Sequence, residues 1–263
     1  MGSDIMTVPG ELFSPPAIQV AAPIVDLPKK IKRWLIIADL HIPFHDPQAV
    51  NIAIKYGLRT DCEGVLILGD LIDNYKCSSW PKNLNLVKWS TEIQQTQRLL
   101  VALTKRFPYV IWRFGNHENR LERWLWQNFP DMCELPQLSL ANLCGADCLD
   151  VIVYDDRTTL RHKELFLLHG HEIRVGTHHV NPASYALRQS LECILIAHCH
   201  RPSAERLRRL SGTSLSAWSV GCLCSLHPHY CAIQPKWEHG FAILDIHQDW
   251  RVENKCIING KVV

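Results

Sequence analysis

Five apolar runs in this chain stop on the same few residue types. RWLIIA (33–38) leads into ADLH, GVLILG (64–69) into GDLID, and YVIWRF (109–114) into GNHE; ELFLLH (164–169) leads into LHGHE, and CILIAH (193–198) into AHCH. Short apolar runs of this kind read as buried strands. Ending such a strand on Asp, Asn or His does nothing for a core. In an open α/β sheet, ligands bind beyond the carboxyl ends of the strands, so residues spread from 39 to 200 can meet in one place. His198 and His200, two residues apart, project from the same side of a strand. That pairing is poorly suited to a core and well suited to a metal site.

The rest of the chain supplies the scaffold. PQAVNIAIKYGLR (47–59) reads as a helix with Pro47 near its first turn, STEIQQTQRLLVALTKRF (90–107) as one capped by Ser90, and NRLERWLWQNF (119–129) as a third. The second half is richer in strands, with further runs at 149–154, 204–210, 214–221, 240–247 and 251–258 and one short helix at 183–191. Alternation first and clustered strands later predict an α/β layered domain with mixed sheets. Residues 1–30 carry Pro9, Pro15, Pro16, Pro23 and Pro28 and read as an extended or disordered arm, vector-derived at 1–5, which leaves 31–263 as one domain.

Composition narrows the function classes. A net charge of +2 argues for neither nucleic acid nor membrane as a partner, and no apolar run reaches the roughly 18 residues that span a bilayer. The N-terminus lacks the regions of a secretory signal. The eleven cysteines are scattered without a CxxC pair, so reduced thiols and a cytoplasmic location are expected. Cys222 and Cys224 of CLC read as core or strand thiols.

Taken singly, the strand-end pieces say little: DLH is common, GD often just closes a strand, and an isolated HxH is usually exposed. Their joint occurrence in this order carries the functional reading. The set resembles the calcineurin-like metallophosphoesterase superfamily, whose pattern is DxH, GDxxD, GNH(D/E), a lone His, then GHxH. The resemblance covers residues 39–200 and departs from the pattern at Ala197, where the family usually has Gly. It implies a four-layer αββα sandwich of two mixed sheets flanked by helices.

It also implies the site. By matching position, Asp39, His41 and His200 would bind one divalent ion, Asn116, His169 and His198 a second, and Asp70 would bridge them. In LHGHE, His169 directly ends the strand and matches the lone His, leaving His171 as a pocket or structural residue. His117 would stabilise the phosphate or protonate the leaving oxygen, oriented by the hydrogen bond its imidazole donates to the Asp73 carboxylate. Oxygen and imidazole ligands suit Mn, Fe, Zn or Ni, with Mn the choice for assay in vitro, and no thiolate is called for. Two such ions would share a nucleophilic hydroxide and hydrolyse a phosphate ester.

Outside the motifs, Arg120 could face a substrate phosphate, and His45 beside Asp46 could reach the rim, the plainer reading being a loop histidine and a helix N-cap. His178 and His179 read as exposed loop histidines, the loop 225–231 as a border of the pocket, and Arg206 and Arg208 as a solvated strand edge. The expected substrate is a small phosphodiester or phosphomonoester. A DNA or RNA nuclease of the repair-exonuclease type is the alternative, and a non-catalytic interaction scaffold the remote one. The short basic clusters at 28–30, 120–123 and 206–209 favour the small ester over a strand-tracking nuclease.

Overall fold

The computed structural model describes residues 22–80, 83, 85–176, 178–228, 231 and 233–263. The N-terminal stretch through residue 21, and part of the 225–231 loop, lie outside the described residues. The chain opens with β1 (Ile24–Asp26) and β2 (Arg33–Ile37), then alternates α1 (Pro47–Arg59), β3 (Gly64–Leu68), α2 (Trp89–Thr104), β4 (Tyr109–Arg113) and α3 (Asn119–Asn128). The short α4 (Leu140–Leu143) precedes β5 (Ile152–Tyr154), β6 (Thr159–His162) and β7 (Leu165–Leu167). After α5 (Pro182–Ser190) come β8 (Cys193–Ile196), β9 (Ser203–Arg208), β10 (Ser214–Ser219), β11 (Gly240–Asp245), β12 (Arg251–Ile258) and β13 (Lys261–Val262).

These strands form two mixed sheets, ordered β1-β6-β7-β8-β10-β9 and β13-β12-β11-β2-β3-β4-β5. β2 to β5 run parallel, as helical crossovers between them require, while β11 and β12 add antiparallel strands at the other side. The period of two sorts β2 between layers: Trp34 and Ile36 join the core between the sheets, and Leu35 and Ile37 join the core under α1 and α2. Because both faces are covered, β2 and β3 read as unbroken apolar runs rather than alternating ones. With α5 packed on β8, β9 and β10, the layers are helix, sheet, sheet, helix, as the family resemblance implied. Trp34 and Trp112 are fully buried, each burial worth about 1.5–3 kcal/mol or more.

Several local expectations shift. α2 begins at Trp89 with Lys88 as its N-cap residue, so Ser90 lies inside the first turn and does not cap it. β5 is shorter than 149–154 because Asp147–Leu149 winds into a 3-10 turn and Asp150 takes a positive φ of 53°. β1, β6 and β13 carry too few residues to show a period. β1 pairs in parallel with β6, so the folded unit reaches ahead of residue 31. β13 returns on β12 through Asn259 and Gly260, both at positive φ, the two-residue turn that matches strand twist. No helix among the described residues is long and apolar enough to cross a membrane, and all eleven cysteines are free thiols.

Candidate metal centre

The parallel strands β2, β3 and β4 deliver Asp39, Asp70 and the 115–118 loop to one edge, and β7 and β8 of the other sheet deliver His169, His198 and His200 to the same place. Asp39, His41, Asp70, His198 and His200 all stand at φ between 50° and 65°. For non-glycine residues this left-handed conformation costs roughly 1–2 kcal/mol each, and such clusters of strain mark sites where the fold overrules local preference. The loops close tightly as well. A Cβ on Gly69, itself at φ +93°, would run into the His169 ring and within 2.9 Å of the Gly115 Cα; one on Gly115 would strike the Asp70 carboxylate. GD and GN are therefore glycine sequences for want of space.

Asp70 lies between two groups of imidazoles. Its Oδ2 is 3.2 Å from His169 Nε2, 3.7 Å from His117 Nε2 and 3.8 Å from His41 Nε2. On one side, His200 Nε2 stands 3.1 Å from His41 Nε2 and 3.4 Å from Asp39 Oδ1. On the other, Asp70, His169 and His198 bring ligand atoms within 4.8 Å of one another. His169 Nδ1 donates to the Leu68 carbonyl at 2.8 Å, which turns Nε2 into the cluster, and the His198 amide donates to Asp39 Oδ2 at 2.9 Å.

This set fits divalent cations. Asp39 Oδ1, Asn116 Oδ1 and His169 Nε2 are buried without a hydrogen-bond partner, and buried polar atoms rarely go unsatisfied. Protein electrostatics tell the same story. Burial works to raise both buried carboxyls, but His200 and His169 hold Asp39 below its usual range, and His117 and His169 hold Asp70 well below it. In turn, although burial opposes it, the Asp70 and Asp39 charges lift His169 to about 10, and Asp39 lifts His200 to about 10. Buried carboxylates are here balanced by imidazole protons, which divalent ions would displace. His198, half-buried and next to His169, is lowered by desolvation and by the His169 charge to about 4, ready as a neutral ligand.

Asp73 serves two imidazoles. Its Oδ2 lies 3.4 Å from His117 Nδ1 and 3.4 Å from His41 Nδ1, so it orients both the candidate catalytic residue and a candidate ligand. Burial alone would raise the Asp73 carboxyl; hydrogen bonds and charge from His117 and His41 drive it far down instead. Arg120 closes the group, with Nη1 donating to Asp73 Oδ1 at 3.0 Å and to its carbonyl at 2.9 Å, and Nη2 2.8 Å from His117 Nε2. A guanidinium only donates, so His117 Nε2 accepts and its proton sits on Nδ1, facing Asp73.

Other candidates fall at the periphery. His171 is 3.5 Å from Asp156 Oδ2 with its ring 6.1 Å from that of His198, lining a neighbouring cavity of about 630 Å³ with Arg113 and Glu172. His45 lines a cavity between α1 and α2, and Asp46 is the α1 N-cap, accepting from the Gln48 and Ala49 amides. His179 stacks on Tyr185 at 4.1 Å, and Arg206 and Arg208 are exposed on edge strand β9. Sequence reasoning missed three supports. Glu118 accepts the amides of Gly115, Asp70 and Leu71. Asn74 holds the His117 carbonyl at 3.1 Å. Glu172 pairs with fully buried Arg113 and accepts the His169 and Gly170 amides. The two glutamates end GNHE and LHGHE, which is the signal that could have exposed them.

Over 245 residues the chain is 27% identical to the "Gene 54 protein" of Mycobacterium phage L5, covering 88% of this chain and 95% of that protein. Vacuolar Protein Sorting 29 from Cryptosporidium parvum is similar at 15% identity and a TM-score of 0.47, over 89% of this chain and 95% of that one. YfcE, a phosphoesterase from E. coli, is similar at 15% identity and a TM-score of 0.41, over 81% and 88%. The family model described as calcineurin-like phosphoesterase matches residues 32–221, a span that takes in every strand-end motif, and the chain belongs to that family.

Proposed function

We propose that this protein hydrolyses phosphate esters at a centre of two divalent cations. Asp39, His41 and His200 would hold one ion, Asn116, His169 and His198 the other, and Asp70 both. The observation that carries the reading is the position of Asp70 Oδ2 between two separate histidine groups. Bound there, two cations would neutralise phosphoryl oxygens and make a water nucleophilic near neutral pH.

The chain's own residues supply the rest. Asp73 and Arg120 fix the His117 ring beside Asp70, where it would meet the phosphoryl group or the leaving oxygen. Arg120 is 20% exposed in its side chain and carries donors suited to a phosphate oxygen. Its transfer to an entering phosphate would free His117 Nε2 to take a proton from solvent and pass it to the leaving oxygen. The substrate favoured is a small phosphodiester or phosphomonoester, since the net charge of +2 gives little pull on a polyanion.

The test is turnover on a nitrophenyl phosphodiester, a nitrophenyl monoester, mononucleotide esters and oligonucleotides, with Mn, Fe, Zn, Ni and Mg each supplied separately. Metal-dependent hydrolysis of the small esters supports the reading. Preferential cleavage of polymer with steep salt dependence would replace it with a nuclease. Full activity in a metal-free sample would end it.

A further inference from the structure

β5 runs parallel to β4, so the loop 155–158 leaves its sheet at the edge that carries the 115–118 loop. β7 runs parallel to β8, so the segment 168–173 leaves the other sheet where His198 and His200 emerge. Ligands bind beyond such strand ends, and both segments line the cavity of about 630 Å³. Small-molecule sites occupy roughly 300–1,000 Å³. His171 joins this cavity to the candidate centre: it lines the cavity, and its ring lies 5.4 Å from that of His169 and 6.1 Å from that of His198. The cavity therefore borders the half of the centre built from Asn116, His169 and His198. Its charged walls are the carboxylates of Asp155, Asp156 and Glu172 against the guanidiniums of Arg113 and Arg157. Arg113 is engaged, paired with Glu172 and donating to the carbonyls of Phe114 and Asp156. Asp155 accepts the Thr158 amide and hydroxyl at 2.9 and 2.7 Å. His171 Nδ1 is buried without a hydrogen bond, and the Arg157 side chain belongs to an exposed residue. Ala22, Pro23, Leu168 and Ile173 give the cavity an apolar side, where Pro23 is fixed by accepting the Thr159 amide at 2.9 Å.

We propose that this cavity receives the organic part of the phosphate ester, a neutral, hydroxyl-bearing group of nucleoside size; this rests on the phosphoesterase reading above. With the phosphoryl group at the centre, the ester's substituent would pass His171 and set its hydroxyls against Asp155, Asp156 and Arg157. Its flatter, apolar portion would lie on Pro23, Leu168 and Ile173. Three carboxylates against two guanidiniums leave the walls one negative charge in excess, which disfavours a second anionic group on the substrate. These contacts fall on a part of the substrate that does not react, so they act through KM rather than kcat.

The experiment compares two diesters that share one leaving group, the nitrophenyl ester of thymidine 5′-phosphate and methyl nitrophenyl phosphate, on the metal-loaded full chain. The parent should favour the thymidine ester by at least about tenfold in kcat/KM, through KM. Ala22→Trp and Ile173→Trp each fill the cavity from a different segment, with folding checked by circular dichroism. Both should erase the preference by raising KM for the thymidine ester. A 3′-phosphate added to that ester should raise KM for the parent. Equal kcat/KM for the two diesters in the parent, or a preference that survives in both tryptophan variants, overturns the assignment and leaves the phosphoesterase reading standing. A 3′-phosphate that lowers KM overturns the neutral-group assignment. Failure to hydrolyse either ester with any metal overturns the phosphoesterase reading instead. Equilibrium dialysis with thymidine then decides the cavity: retention by the parent but not by the tryptophan variants supports it, and no retention by the parent overturns it.

Discussion

Glu118 Oε2 accepts the amide of Asp70 at 3.0 Å, while Asp70 Oδ1 accepts the amide of His117, the residue before Glu118, at 2.9 Å. Two loops nearly fifty positions apart in sequence are thus bound reciprocally. Glu118 also takes the amides of Gly115 and Leu71, each at 2.7 Å, and the Trp112 indole at 3.3 Å. One buried carboxylate sets Asp70 against the loop that bears Asn116 and His117.

Glu118→Ala strands three buried backbone amides, so it should cost at least about 3 kcal/mol and reduce metal content. Glu118→Gln, which keeps an acceptor, should be milder on both counts. Urea denaturation with metal analysis checks this. An alanine variant as stable as the parent and fully metallated would show the interlock to be incidental.

Stability should carry a pH signature from Glu92. It is buried on α2, with Oε2 accepting the Tyr75 amide at 3.2 Å and Oε1 without a hydrogen-bond partner. Burial first, then the Asp73 charge, raise its carboxyl from 4.5 to about 8. Between those values the folded chain holds a proton that the unfolded chain releases, so stability from this group is full below about 4.5 and declines as pH rises to about 8. Glu92→Gln cannot ionise. Its stability relative to the parent should therefore rise from pH 5 to pH 8 and then level off, measured by urea denaturation at fixed metal concentration. A constant difference across that range would mean Glu92 ionises normally.

Metal content should separate Asp70 from the ligands of a single ion. Asp70→Ala removes the proposed bridging carboxylate, whose Oδ2 faces His169 at 3.2 Å and His41 at 3.8 Å, and should lower occupancy of both sites. Asn116→Ala should spare the ion on Asp39, His41 and His200. Metal analysis after gel filtration distinguishes them, and two tightly held ions in Asp70→Ala would disprove the bridge.

His117→Ala should keep both metals and lose about 10²–10⁴-fold in rate, with less loss on nitrophenolate esters, which need little protonation. An equal loss on all leaving groups would assign His117 to electrostatic stabilisation. Asp73→Asn should slow turnover and also weaken metal binding by about 10–100-fold, because Asp73 contacts His41 as well as His117. A rate loss with unchanged metal affinity would confine Asp73 to His117.

The layered α/β class and the strand ends that carry polar residues were legible in the sequence, because buried strands and amphipathic helices write their periods over many residues. α1 runs from Pro47 to Arg59, the bounds read from its pattern. The motif histidines and aspartates could be named for the same reason: each follows an apolar run that identifies where it must emerge. What only tertiary structure decided were relations between residues distant in the chain. The left-handed backbone at Asp39, His41, Asp70, His198 and His200 is imposed by loops packed against each other, and no local preference announces it. β1 and β6 are too short to declare themselves; β1 exists because it pairs with β6, and β6 because it lies between β1 and β7. The sharing of Asp73 by two imidazoles, the Glu118 interlock and the approach of His171 to His198 arise from contacts between separate segments, and a linear pattern holds no distances.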